Sequence, residues 1–178
     1  MNKNKKLVLI SIYCALAIVL DYIKSFIPFL NMPSGGSINI ALIPVVICSF
    51  HLGVVDGIVC GLLWWLVSSI LGLNPYYINI MQYIVDYILP SGIIGISSIL
   101  YKKKNIWEIE LGILLMMVIR TFFLVLSGAL YWPGDAASNS AAAWLASITY
   151  NVPYSLATLV MLLVLIPLLI KSLKKYML

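Results

Sequence analysis

Apolar residues run down this chain in six stretches broken by short polar segments. They extend roughly from Leu7 to Ile27, Ile38 to Leu52, Val54 to Leu73, Ile78 to Leu100, Trp107 to Leu130 and Ala143 to Ile170. A spanning helix needs about 20 mostly apolar residues, because some 30 Å of hydrocarbon is crossed at about 1.5 Å per residue. The pattern therefore predicts an all-α integral membrane protein, a single six-helix transmembrane domain over residues 1–178. The second stretch is short, and "HLG" leaves only a tight junction to the third. The first is too long for a cleaved leader and shows no small-residue processing site, so it is expected to stay as a helix.

Composition agrees with the pattern. The chain is 63% hydrophobic and 10% charged, with a mean hydropathy of +1.07, far too apolar for a soluble domain of this length. The net charge of +5 would suit a nucleic acid, but its placement argues for topology instead. Lys3, Lys5 and Lys6 precede the first stretch, Lys102 to Lys104 separate the fourth and fifth, and Lys171, Lys174 and Lys175 follow the sixth. An even number of spans puts all three clusters on one side, which the positive-inside rule makes cytoplasmic, with both termini. The segments "PFLNMPSGGS", "GLNPYY" and "YWPGDAASNSAA" then face outward, with Pro28, Pro33, Pro75 and Pro133 stiffening them.

Several chemistries are excluded. Cys14, Cys48 and Cys60 lie within apolar stretches without metal-ligand spacing and read as packing residues. His51 stands alone, and no Gly-rich nucleotide loop with its Lys occurs, so neither a metal, a cofactor nor ATP hydrolysis is called for. Gly53, Gly57 and Gly61 recur every four residues and are expected to face a neighbouring backbone. Ser11 and Ala15 form a weaker pair of the same kind, facing either the bundle or a partner.

Charges within the apolar stretches need a reason, because each costs roughly 2.5 to 3.5 kcal/mol at the centre of a bilayer. Asp21 and Lys24, three residues apart, are expected to pair with each other, and Asp56 complements a helix N-terminus. Asp86 and Arg120 are near no helix end. Either they form a buried ion pair on adjacent helices, or Asp86 faces an outward cavity and receives a cation. Gln82 lies one turn from Asp86, with Tyr83 and Tyr87 beside it. Tyr76, Tyr77, Tyr131, Trp132, Trp144, Tyr150 and Tyr154 cluster at outward helix ends, and Asn151 falls at matching depth. Most of those rings fit an interfacial belt, but a carboxylate among rings and amides also suits a flat, cationic, nitrogen-rich ligand.

"MPSGGSINIALIPVVICSFHLGVVDGIVCGLLWWLVSSILG", "NPYYINIMQYIVDYILP" and "LSGALYWPGD...WLASITYN" together resemble the thiamine-specific substrate-binding (S) component of energy-coupling-factor (ECF) vitamin transporters. The specific elements are "GGSI" followed by "IP" and the acid-Tyr pair of the fourth stretch. The resemblance implies a deep site near the outer face, covered by the loop after the first helix. It also implies work with a membrane coupling subunit and two ATPase subunits. On it, Asp86 matches the acid that faces the thiazolium cation. Tyr87, Tyr76, Gly128, Trp132 and Asn151 fall on pocket positions, and Arg120 on a basic position near the acid. Ser11 and Ala15 fall on the small-residue face that docks on the coupling subunit. Two positions depart from the family: Leu124 stands where a histidine is usual and Ala146 where a tyrosine is usual.

The leading expectation is thus a high-affinity thiamine-capturing subunit, not an enzyme, in a prokaryotic plasma membrane. A subunit for a thiamine precursor or another cationic heterocycle is an alternative, as is a stand-alone carrier in which Asp86 takes up a proton. An intramembrane enzyme using Asp86 and Asp56 is disfavoured, because the two lie toward opposite faces.

Overall fold

The computed structural model describes residues 2–31, 36–73, 76–102 and 105–173. Pro33, Pro75, Lys103, Lys104, Lys174, Lys175 and most of "PSGGS" lie outside the described residues. Six helices carry the fold: α1 (Lys3–Lys24), α2 (Leu42–Leu52), α3 (Val54–Ile70), α4 (Ile80–Ser98), α5 (Ile106–Tyr131) and α6 (Ala141–Leu173). Local chemistry starts several of them. The side chains of Asn2, Asn79 and Asn105 each accept a backbone N–H of the first turn of α1, α4 and α5, offsetting donors that have no partner within the helix.

Four helices, α1, α4, α5 and α6, are long and apolar enough to cross a membrane, whereas α2 and α3 are shorter. The short second stretch of the sequence corresponds to α2, and α3 too is shorter than the run of about 20 residues the sequence offered. At 11 residues, α2 rises only about 16 Å. It begins at Leu42 rather than Ile38 because the Asn39 side chain accepts the Ala41 N–H at 3.1 Å, a local turn that competes with helix. The shortfall is tolerable because α2 is an inner helix, with Leu42, Val45, Val46 and Cys48 fully buried. It packs against α1, α3, α4 and α6. Irregular backbone at membrane depth survives only where protein surrounds it.

Small residues set the close approaches. A side-chain carbon on Gly57 would meet Ser49 and Gly95, and one on Gly61 would strike the Ser91 carbonyl. Gly53 differs from its two partners. It has φ +105° with nothing around its missing side chain, and it caps both α2 and α3; it permits the tight turn rather than a helix contact. The three cysteines are free and buried. His51 meets the Tyr13 hydroxyl at 2.9 Å.

α4 is irregular. An opening α-turn passes into a π-helical segment at Ile84–Ile88, then α at Leu89–Ile93 and a 3-10 end at Ile94–Ser98. Pro90 supplies the cause. It has no N–H for the Asp86 carbonyl, and its ring presses on that same carbonyl. The ladder widens, and Leu89 N–H bonds Ile84 O five residues back. Such π-bulges occur often at functional sites.

Candidate functional site

A cavity of about 730 Å³ opens among α1, α3, α4, α5 and α6, toward the end where the α1–α2, α3–α4 and α5–α6 connections lie. Its wall carries Asp86, Tyr87 and Pro90 from α4, and Arg120, Leu124 and Gly128 from α5. Ala146, Ser147, Tyr150, Asn151 and Tyr154 come from α6. Tyr76 and Trp132 stand in the connections, and Asp21, Lys24, Trp64 and Trp65 come from α1 and α3.

Asp86 is held from behind. Asn79 caps α4 by accepting the Gln82 N–H at 2.8 Å, and Gln82 Oε1 accepts the Ile78 N–H at 3.2 Å. Those bonds fix the amide so that Gln82 Nε2 donates to Asp86 Oδ2 at 2.9 Å. From the other side Trp132 Nε1 donates to the same Oδ2 at 3.2 Å. Both donors use one oxygen, which leaves Oδ1 for another partner. Gln82 is fully buried and off the cavity wall. It therefore orients the acid, where the sequence had placed it among ligand-contacting groups.

Aromatic rings surround the acid. Tyr76 meets Trp132 edge-on, with centroids 6.1 Å apart, and Tyr87 lies 5.0 Å from Tyr83, whose hydroxyl bonds Ser69 at 2.8 Å. A half-satisfied carboxylate framed by π-faces is chemically a receptor for a flat cation.

The α5–α6 wall follows from a polar stripe. Ser147, Asn151, Tyr154 and Thr158 are spaced i, i+4, i+7, i+11 and share a face of α6. Asn151 Nδ2 donates to Ser147 O at 3.0 Å and to Ser147 Oγ at 3.1 Å, and its Oδ1 accepts the Tyr154 hydroxyl. Asn151 is thus on the wall with its amide already engaged. Gly128 lets α5 approach: a side-chain carbon there would strike Ser147 Oγ and come within 3.2 Å of Asn151 Nδ2. The stripe also ties in the α1–α2 connection. Gly36 packs on the Tyr154 ring, and Thr158 Oγ1 accepts the Asn39 N–H at 3.1 Å.

The ion pair between Asp86 and Arg120 is not formed. Among the described residues the ion pairs are Lys6–Asp56 at 2.5 Å and Lys24–Asp21 at 2.7 Å, and Arg120, 9% exposed, lines the cavity without either partner. Counting from the helix ends explains the gap. Arg120 lies eleven residues from the end of α5, roughly 16 Å, and Asp86 six residues into α4, roughly 9 Å. Asp21 and Lys24 pair as expected, Ser68 Oγ also meeting Asp21 at 3.5 Å, but they do so on the cavity wall.

Of the sequence-derived set, Asp86, Tyr87, Trp132, Asn151, Tyr76, Gly128, Tyr150 and Arg120 come together at this cavity. Ser11 and Ala15 are on the exposed face of α1, away from it. Sequence reasoning missed Trp64, Trp65 and Ser147 as wall residues, and named Tyr154 only as one of the rings at the outward helix ends. The i, i+4, i+7 stripe of α6 was the signal for Ser147 and for placing Tyr154 on the wall.

Fold and cavity together define a multi-pass helical membrane protein with a ring-lined, partly polar cavity. The chain belongs to the family described as thiamine transporter protein (Thia_YuaJ), whose profile matches residues 7–178; this is a transport family, not an enzyme family. The thiamine transporter ThiT of Bacillus subtilis (strain 168) is 34% identical over 168 residues, covering 86% of this chain and 85% of that one. A solved structure of ThiT from Listeria monocytogenes superposes with a TM-score of 0.82 at 28% identity, covering 98% of each chain.

Proposed function

We propose that this protein captures thiamine from outside the cell as the substrate-binding subunit of an ECF-type transporter. The observation that carries the reading is Asp86, held by Gln82 and Trp132 through one oxygen beside a cavity of about 730 Å³. The thiazolium ring carries the positive charge that the free oxygen would meet. Tyr87, Trp132, Tyr76 and Tyr150 give the ring faces, while Gly128 and Asn151 shape the wall. Family membership and the relatives named as thiamine transporters support the choice of cation.

The basic clusters at Lys3–Lys6, at Lys102 and at Lys171 support cytoplasmic termini, so the cavity opens outward. Nothing in the sequence resembles an ATP site, so energy would come from two ATPase subunits through a membrane coupling subunit. The exposed Ser11 and Ala15, flanked by the exposed Leu7, Val8, Ile12 and Leu16, give α1 a flat face on which that subunit would dock.

The test is a titration of the purified protein with thiamine, preceded by native mass spectrometry of whatever small molecule copurifies. The reading predicts saturable binding with quenching of tryptophan fluorescence, and no uptake when the chain alone is placed in liposomes. Absence of thiamine binding contradicts the ligand, and uptake by the lone chain contradicts the subunit role.

A further inference from the structure

Arg120 is the one cavity group whose charge the capture of a cation leaves uncompensated. The residue is nine-tenths buried, lines the cavity, and makes no hydrogen bond or ion pair among the described residues; its Nε is sealed from solvent without an acceptor. Five donors cannot stay idle at low cost in such surroundings. Trp64, 6% exposed and lining the cavity from α3 at about the depth of Asp86, also has an indole N–H with no acceptor, as does its neighbour Trp65. The nearby wall residues Leu124 and Ala146 carry no acceptor in their side chains. Asp86 already takes two donors near the mouth, and Asp21 is engaged by Lys24.

From this we infer that the cavity has a second pole, a donor pole at Arg120, which reads hydrogen-bond acceptors on the ligand's uncharged part. It rests on the cation reading of Asp86 given above. The cavity thereby recognises a two-ended molecule. Its cation sits at the acid, and lone pairs some 7 Å deeper by helical rise meet the guanidinium. A carboxylate and a guanidinium left apart in one hollow, instead of collapsing into an ion pair, is the arrangement such a ligand requires. In thiamine the acceptor is either a pyrimidine ring nitrogen or the hydroxyl oxygen of the side chain. Leu124 and Ala146 would pack against the ring carbons and methyl group, adding area without polar demands.

Three cations separate these cases. They are thiamine, a thiazolium bearing a benzyl group in place of the pyrimidylmethyl arm, and that benzyl compound without its hydroxyethyl chain. Each is titrated against the wild type, Arg120→Met and Arg120→Lys, the first variant removing every donor and the second keeping the charge while losing the planar five-donor fork. The inference predicts that one preference of the wild type, for thiamine over the benzyl compound or for the hydroxyethyl compound over its shortened form, falls about ten- to a hundredfold in the variants. The first outcome assigns the pyrimidine nitrogens, and the second the hydroxyl. Unchanged preferences in both variants overturn the donor pole and leave the cation reading standing. If the wild type binds none of the three, the cation reading fails and the pole with it. Should Arg120→Met not fold, Arg120→Lys carries the same comparison.

Discussion

At the scale of single residues, the site depends on how little freedom Asp86 has. Gln82 can donate to it only because Ile78 and Asn79 hold Gln82 itself, so an acid in an apolar helix is oriented before any ligand arrives. Pre-orientation of this kind lowers the cost of ordering on binding. Gly128 has the same standing on the opposite wall, since it brings α5 onto Ser147 and Asn151. Gly128→Ala is expected to push α6 away, lowering thiamine affinity about tenfold or more and stability by about 1–3 kcal/mol, the usual cost of overpacking. Paired titration and thermal unfolding check both effects; unchanged affinity would mean that this wall does not touch the ligand.

At the scale of elements, α4 carries the argument. The π-helical segment turns Asp86 and Tyr87 off the register of a regular helix, and Pro90 is its cause. Pro90→Ala restores an N–H for the Asp86 carbonyl, so α4 is expected to relax toward regular α-helix. Thermal stability should hold or rise, because a proline inside a helix costs about 3 kcal/mol, while thiamine affinity drops by about tenfold or more. Affinity equal to wild type would show that the bulge is not what aims the acid. This element also marks the limit of sequence reading. The apolar run from Ile78 to Leu100 predicts a helix, and the lone acid predicts a cavity, because both follow from the cost of polarity in lipid. The five-residue ladder depends on a backbone clash four residues away, which periodicity does not register. In the same way Asn39 shortens α2 through one side-chain bond. Gln82 was assigned to the ligand because spacing shows that it shares a face with Asp86, but not which of the two stands behind the other.

At the scale of the whole molecule, four long helices pack with two shorter ones, of which α2 is buried while α3 keeps an exposed apolar face, and the cavity lies among five of the six. The apolar stretches and the intramembrane charges were legible as a transport protein, which the family bears out. What the sequence left open was whether Asp86 and Arg120 satisfy each other. They do not, and the hollow they share gives the account its central claim, that a negative charge is held ready for a cationic ligand. The direct measurement is calorimetric titration of wild type and Asp86→Asn with thiamine and with an isostere in which a neutral thiophene replaces the thiazolium. The account predicts that the substitution weakens thiamine by about a hundredfold or more, as for a buried charge pair losing one member, and the neutral isostere far less. Equal losses for the two ligands would contradict it.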